Sequence, residues 1–339
     1  MKYLFELSKD HEILPQAEVL SCIKAENISY KLLQSDDNVV IIESSANIKK
    51  IKEISDRLSL VFYIDNFLFS CNPVPEKIKN NALKNKIQQE GTIAIKYKNR
   101  SKNIESQLIV NILADVYTKN LDVDLETPDI EIRALITDSK IYVCIKLFEI
   151  NRSQFEERKV QFRPFFSPIS LHPKIARALV NLSEIKKSEK LLDPFCGTGG
   201  ILLEAGLIGA EVIGSDIENK MVDGCRETLE HYDVKKYKLF YSDIGDIANN
   251  LDHVDAIVTD LPYGKATTTK GEDVTELYKR AFGSMAKVLK KDGFLIAGLS
   301  DPKMIPLGEK YLKILNTYEL KVHSSLTRYF VVYKNINNL

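Results

Sequence analysis

From Ser170 to near its end the chain alternates helix with strand, and three successive buried strands run into an aspartate. They are Leu191-Leu192-Asp193, Ala210 to Asp216, and Leu239 to Asp243; a fourth strand, His253 to Thr259, leads directly into Asp260. Such alternation predicts an open, mostly parallel sheet with helices on both faces. Sheets of this kind hold ligands in the crevice at the carboxyl ends of their strands, where these acids fall. One aspartate at a strand end often does no more than cap the next helix. Three at successive strand ends are harder to explain by capping.

The residues before Ser170 divide differently. Residues 1–71 read as strand, helix, strand, strand, helix, strand: Tyr3 to Leu7, Gln16 to Ala25, Tyr30 to Gln34, Asn38 to Ile42, Ile48 to Leu58 and Leu60 to Ile64. That order is the ferredoxin-like arrangement, a scaffold without a fixed function. Residues 72–150 form a second α+β unit, with helices over Ile78 to Gln89 and Ile104 to Tyr117 and strands over Thr92 to Tyr97, Ile130 to Ile136 and Lys140 to Phe148. A linker, 151–169, turns rich in Pro and Phe at Arg163-Pro164-Phe165-Phe166, and the alternating α/β unit fills 170–339.

Between the first strand of that unit and the helix from Ile201 to Leu207 stands Pro194-Phe195-Cys196-Gly197-Thr198-Gly199-Gly200. The glycines allow a ligand to back onto the main chain where a Cβ would obstruct it. The spacing is not the G-x-G-x-x-G of dinucleotide binders. With Asp193, the run resembles motif I of class I methyltransferases that act on nucleic acid. The resemblance implies S-adenosylmethionine as cofactor. Its ammonium would face Asp193, with Phe195, Gly197, Thr198 and Gly199 forming the turn, Asp216 accepting the ribose hydroxyls and Asp243 meeting the adenine amine. Ser167 to Pro173 resembles the segment that lines the cofactor pocket in the same enzymes. This brings in His172, although capping or packing is the plainer role for it.

Asp260-Leu261-Pro262-Tyr263-Gly264 resembles the (Asp/Asn)-Pro-Pro-Tyr motif of methyltransferases acting on exocyclic amines of bases. The lone pair of such an amine is delocalised into the ring and is a poor nucleophile. Two acceptors, the Asp260 carboxylate and the Leu261 carbonyl, would draw the nitrogen toward tetrahedral geometry. Tyr263 would stack on the base, and Pro262 would hold the turn. Leu261 departs from the motif: a carbonyl survives, but the fixed φ of proline is lost and an extra N–H needs a partner. Lys265 to Gly271 is polar and suits a lid over a flipped base, or an ordinary surface loop.

Net charge is zero, from 47 Lys and Arg against 47 Asp and Glu, so no global field argues for nucleic acid. Residues 77–102 are locally basic, with Lys77, Lys79, Lys84, Lys86, Lys96, Lys98, Arg100 and Lys102 against Glu90. A solvated lysine face explains that run equally well. The five cysteines include no Cys-x-x-Cys pair, which speaks against a zinc knuckle and fits a reducing cytoplasm. No apolar stretch is long enough to span a bilayer, and Glu6 interrupts any signal-peptide core.

Val123 to Arg133, with Thr127-Pro128-Asp129 at its centre, resembles the signature of the THUMP domain of RNA-modifying enzymes. With the ferredoxin-like unit before it and the methyltransferase after it, the whole chain resembles the archaeal tRNA (guanine-10-N2)-dimethyltransferase family. That implies methylation of guanine N2 in tRNA, at position 10, once or twice, by a metal-free enzyme that acts alone or with a small activator subunit. Three other readings remain open on sequence. One is a guanine-N2 enzyme for another tRNA or rRNA position; another, a DNA adenine enzyme with the same amine motif, would be expected to carry a DNA-reading module rather than THUMP. The third is an RNA-binding protein with an inactive fold, for which Leu261 is the only sequence argument.

Overall fold

A computed structural model describes residues 1–36, 38–167, 170–263, 272–323 and 326–336. The chain forms two compact units. One comprises Met1–Lys9, Ile28–Ser55 and Val61–Ile150; the other comprises Asp10–Asn27, Asp56–Leu60 and Asn151–Leu339.

The first unit is built on one sheet of strands β1 (Lys2–Leu7), β2 (Tyr30–Asp36), β3 (Val39–Ser44), β4 (Val61–Cys71), β5 (Ile93–Asn99), β6 (Ile130–Ile136) and β7 (Ile141–Glu149). Their order is β2-β3-β1-β4-β7-β6-β5. The first four strands stand in the ferredoxin-like order, all antiparallel. β4 then pairs antiparallel with β7 from Tyr63 to Cys71, so the two expected domains, 1–71 and 72–150, share one continuous sheet. Local periodicity cannot reveal a pairing between segments some eighty positions apart, which explains the difference. Helices α3 (Pro75–Lys84) and α4 (Ser106–Tyr117) bury Ile78, Ala82, Ile109 and Leu113 with β-strand residues Ile93 and Ile132.

The signature segment acts here as a lock. Asp129 accepts the Thr92 N–H at 2.8 Å and the Thr92 hydroxyl at 3.0 Å, while Asp124 accepts the N–H groups of Glu126 and Thr127. Arg133 turns inward to Glu6 and Asp65 beneath the Tyr63 ring, and Arg100 joins Glu6 at 2.8 Å. Arg100 is therefore withdrawn from the basic run, and Lys96 pairs with Glu131 at 3.1 Å.

The second unit contains helices α1 (Leu14–Ala25), α5 (Ser153–Glu157) and α6 (Pro173–Leu182) before its sheet. Helix α2 (Ile48–Arg57) passes from the first unit into the second. Glu18 of α1 is fully buried, yet it accepts from Ser59 N, Ser59 Oγ, Leu60 N and Asn181 Nδ2, which anchors α1 beside α6. α1, assigned on sequence to the ferredoxin-like unit, thus belongs to this one.

Next come β8 (Lys190–Asp193), α7 (Gly200–Leu207), β9 (Glu211–Asp216), α8 (Asn219–His231), β10 (Tyr237–Tyr241), α9 (Ile247–Asn250), β11 (Val254–Asp260), α10 (Val274–Val288), β12 (Leu289–Leu299), α11 (Ile305–Glu309), β13 (Lys313–His323) and β14 (Leu326–Lys334). The strand order is β10-β9-β8-β11-β12-β14-β13, parallel up to β12, with β14 and β13 antiparallel. The order reverses between β8 and β11, so their carboxyl ends flank the crevice of a doubly wound sheet. Two apolar clusters pack the faces, one around Leu179, Leu202 and Val258, the other around Ile257, Phe282 and Leu295. The site is carried by the ends of the most deeply buried strands.

Candidate active site at the strand ends

The crevice opens into a cavity of about 560 Å³, a volume suited to a nucleoside-sized ligand. Its walls include Asp193, Phe195, Gly197, Thr198, Asp216, Asp243, Asp260, Leu261, Pro262 and Tyr263, all of them candidates read from the sequence. Residues from four strand ends and the turns after them therefore converge on one space.

Asp193 ends β8 and is almost wholly buried. Its Oδ1 accepts the Thr259 hydroxyl at 2.7 Å and the Phe195 N–H at 3.2 Å. Burial pushes its carboxyl up to about 7, with the two hydrogen bonds opposing and the charges of Asp216 and Asp260 reinforcing. No ion pair to it is found among the described residues. An acid held this way is short of a cation.

Asp216 closes the glycine turn. Its Oδ2 accepts the Gly197 N–H and its Oδ1 the Glu218 N–H, each at 3.0 Å. A carboxylate has room for about four such bonds, so acceptor capacity remains for a ligand. Gly197 has φ +49° and open space where a Cβ would stand, consistent with a backbone presented to a ligand. Gly199 differs: with φ +78°, its missing Cβ would meet Cys225 Sγ at 2.6 Å. Its place in the motif comes from packing of α7 against α8, and it is absent from the cavity wall.

Two other candidates are placed differently from the expectation. β10 stops at Tyr241, and Asp243 lies beyond it as the cap of a short 3-10 turn, accepting the Gly245 N–H at 2.7 Å. Arg280 of α10 bonds both Asp243 (2.6 Å) and Glu272 (2.7 Å), bridging two residues of the wall. His172 lies outside the cavity wall. Its Nδ1 accepts the Lys174 N–H to cap α6, and its Nε2 meets Glu156 at 3.1 Å, so the capping role prevails.

Asp260 ends β11 beside Asp193. Its Oδ1 accepts the Tyr263 hydroxyl, and its Oδ2 lies 3.3 Å from Arg328 Nη2. Burial raises its carboxyl, while Arg328 and then Tyr263 oppose that. Gly298 on β12 pairs with Asp260, and a Cβ there would lie 2.3 Å from Asp260 Oδ1. Only glycine leaves the carboxylate its place. The extra N–H of Leu261 donates to the Gly298 carbonyl at 3.0 Å, and its side chain is fully buried. The Leu261 departure thus costs no unpaired donor. Tyr278 donates to the Pro262 carbonyl at 2.9 Å and fixes the rest of the turn.

The sequence reading missed Thr259, Gly298, Tyr278 and Arg328. Gly298 had a legible signal, since glycine inside a buried strand marks a close approach. The expected lid, 265–271, lies outside the described residues, as does Gly264. Among the described residues no group of three or more His, Cys, Asp or Glu is arranged to hold a metal ion.

Comparison with known proteins agrees with this geometry. The RMKL-like methyltransferase domain matches residues 161–329, and the THUMP domain matches residues 75–146. The tRNA (guanine(10)-N2)-dimethyltransferase of Methanothermobacter thermautotrophicus is 31% identical over 342 residues, covering 99% of this chain and 100% of its own. That of Methanocaldococcus jannaschii is 29% identical, covering 98% and 99%. Among solved structures, TrmN from Thermus thermophilus shares the fold at 17% identity, with TM-score 0.56 over 98% of this chain and 100% of that one. SMU.472, solved with SAH, does so at 15% identity, TM-score 0.54 and 99% coverage of both. Similarity that runs from end to end through both domains leaves one conclusion, that the chain belongs to the tRNA (guanine(10)-N2)-dimethyltransferase family.

Proposed function

We propose that this chain methylates the exocyclic N2 of guanine 10 in tRNA, first once and then twice, with S-adenosylmethionine as methyl donor. The single observation that carries the reading is that Asp193 and Asp260 stand at the carboxyl ends of the neighbouring parallel strands β8 and β11 and both line one cavity. The cofactor, when bound, supplies an electrophilic methyl on a sulfonium. The residues present fit it. Asp193 has no ion-pair partner among the described residues and suits the ammonium, Asp216 keeps acceptor capacity for the ribose diol, and Ile217, Ile244 and Leu277 offer apolar walls beside Asp243 for the adenine.

Asp260 and the Leu261 carbonyl accept the two N2 hydrogens and so aim the nitrogen lone pair at the methyl. After transfer, Asp260 or water takes the surplus proton from the nitrogen. Tyr263 now donates to Asp260, and it must release that oxygen before it can stack on the base. Extruding guanine from a stack costs a few kcal/mol, and gripping of the tRNA by the THUMP segment is the natural source of that energy. The shared fold with active-site departures accommodated, Leu261 above all, weighs against an inactive scaffold.

A cytoplasmic place fits five cysteines that are all free, and no helix among the described residues is long and apolar enough to cross a membrane. The enzyme is read as a monomer, with or without a small activator subunit. Incubating purified chain with labelled cofactor and a tRNA transcript, then mapping methylated nucleosides by mass spectrometry, tests the whole reading. N2-methyl and N2,N2-dimethylguanosine at position 10 are expected. Product at another position would move the site, and no product with this chain alone would point to a missing subunit or an inactive fold.

A further inference from the structure

Arg328 was not read from the sequence and is not part of the cavity wall, yet it stands directly against two residues that are, Asp260 and Tyr263. β11, β12 and β14 align Asp260 with Gly298 and Gly298 with Phe330, so Arg328, two residues before Phe330, reaches the same end of the sheet. Its side chain is only 7% exposed. Its guanidinium stands 5.1 Å from the Tyr263 ring centre, and its Nη2 is 3.3 Å from Asp260 Oδ2. Its Nε has no hydrogen-bond partner among the described residues. A buried guanidinium carries five donors, and here one carboxylate oxygen satisfies few of them. Such an arrangement is costly unless another acceptor arrives.

Along Asp260 and its neighbour the groups run acceptor, acceptor, donor: Oδ1, Oδ2, and then Arg328 Nη2, 3.3 Å from Oδ2. The Watson–Crick edge of guanine presents the complement in the same order, N2–H and N1–H as donors and O6 as acceptor. Adenine presented by its own amine places an unprotonated N1 against Oδ2 and has no carbonyl for the arginine. We propose that Asp260 and Arg328 together read the guanine edge, with Arg328 donating to O6, and so determine base specificity. The inference rests on the role given to Asp260 in orienting N2. The Tyr263 hydroxyl, which now bonds Oδ1, stands where the amine hydrogen would.

Two base analogues separate the roles. 2-Aminopurine and 2,6-diaminopurine keep the N2 amine but lack both N1–H and O6. Full-length enzyme is assayed by kcat/KM on tRNA carrying guanine or either analogue at position 10. Wild type should favour guanine by at least about 100-fold, the scale of losing matched base-edge contacts. In Arg328→Met and Arg328→Gln that preference should fall at least about tenfold, because guanine loses rate while the analogues do not, with cofactor affinity by calorimetry unchanged. Equal loss on all three bases would make Arg328 a support for Asp260 and overturn the proposal, as would an unchanged preference. Should Arg328→Met fail to bind cofactor, Arg328→Lys supplies the same readout, with partial preference expected. Asp260→Asn tests the underlying reading separately: full activity there would refute the amine role whatever the Arg328 ratios show.

Discussion

Asp65 in the first unit and Asp193 in the second are both buried acids, each pushed up to about 7 chiefly by burial. Their surroundings differ. Asp65 shares Arg133 with Glu6, Arg100 closes on Glu6, and the Tyr63 ring covers the Arg133 guanidinium at 3.4 Å. Asp193 has a hydroxyl and one backbone N–H, both on Oδ1, and faces a cavity. Glu18 sharpens the contrast: it too makes no ion pair among the described residues, but four donors satisfy it and it is not on the wall of the crevice. A buried acid whose charge is answered within the protein holds the fold together. One left unanswered at the wall of a crevice is kept for a ligand.

Exchanging the charged partners should separate these roles. Arg133→Met leaves Glu6 and Asp65 buried without their shared cation, so denaturant unfolding should show a loss of about 3–5 kcal/mol. Cofactor affinity of the folded fraction should stay within about twofold, and a parallel collapse of binding would break the distinction. Asp193→Asn should do the reverse. Calorimetry should show cofactor affinity weakened about 10- to 100-fold, the scale of a lost charge-assisted bond. Stability should hold or rise, because the desolvation penalty on the charge is lifted.

The smallest effect is on pH. Burial raises the Asp193 carboxyl, so it is protonated below about 7 and cannot pair with an ammonium. Wild-type cofactor affinity should therefore fall by about tenfold from pH 7.5 to 6. Asp193→Asn should show little of that slope, and an equal slope in both would assign it to another group.

The strand ends were the legible part of this molecule, because burial and strand-to-turn chemistry are both written locally. Asp193 and Asp260 needed only an apolar run before them and a Gly- or Pro-bearing turn after, and Asp216 an apolar run ending just before a helix. Asp243 and His172 show the limit of that reading. Each is local in sequence, but the Arg280 and Glu156 that engage them come from other elements. Arg328 was beyond reach altogether, since only the antiparallel return of β14 sets it beside Asp260. The β4–β7 pairing that merges two expected domains is likewise a matter of register between distant segments. Leu261 looked like a defect in the motif until the Gly298 carbonyl supplied the partner for its N–H.

The claim on which the rest stands is that Asp260 orients the nitrogen and does not serve to bind the cofactor. Single-turnover methyl transfer by Asp260→Ala, at saturating tRNA and cofactor, tests it most directly. A rate lowered by about 10²–10³ with cofactor affinity within twofold of wild type is expected. A rate within about threefold of wild type would contradict it.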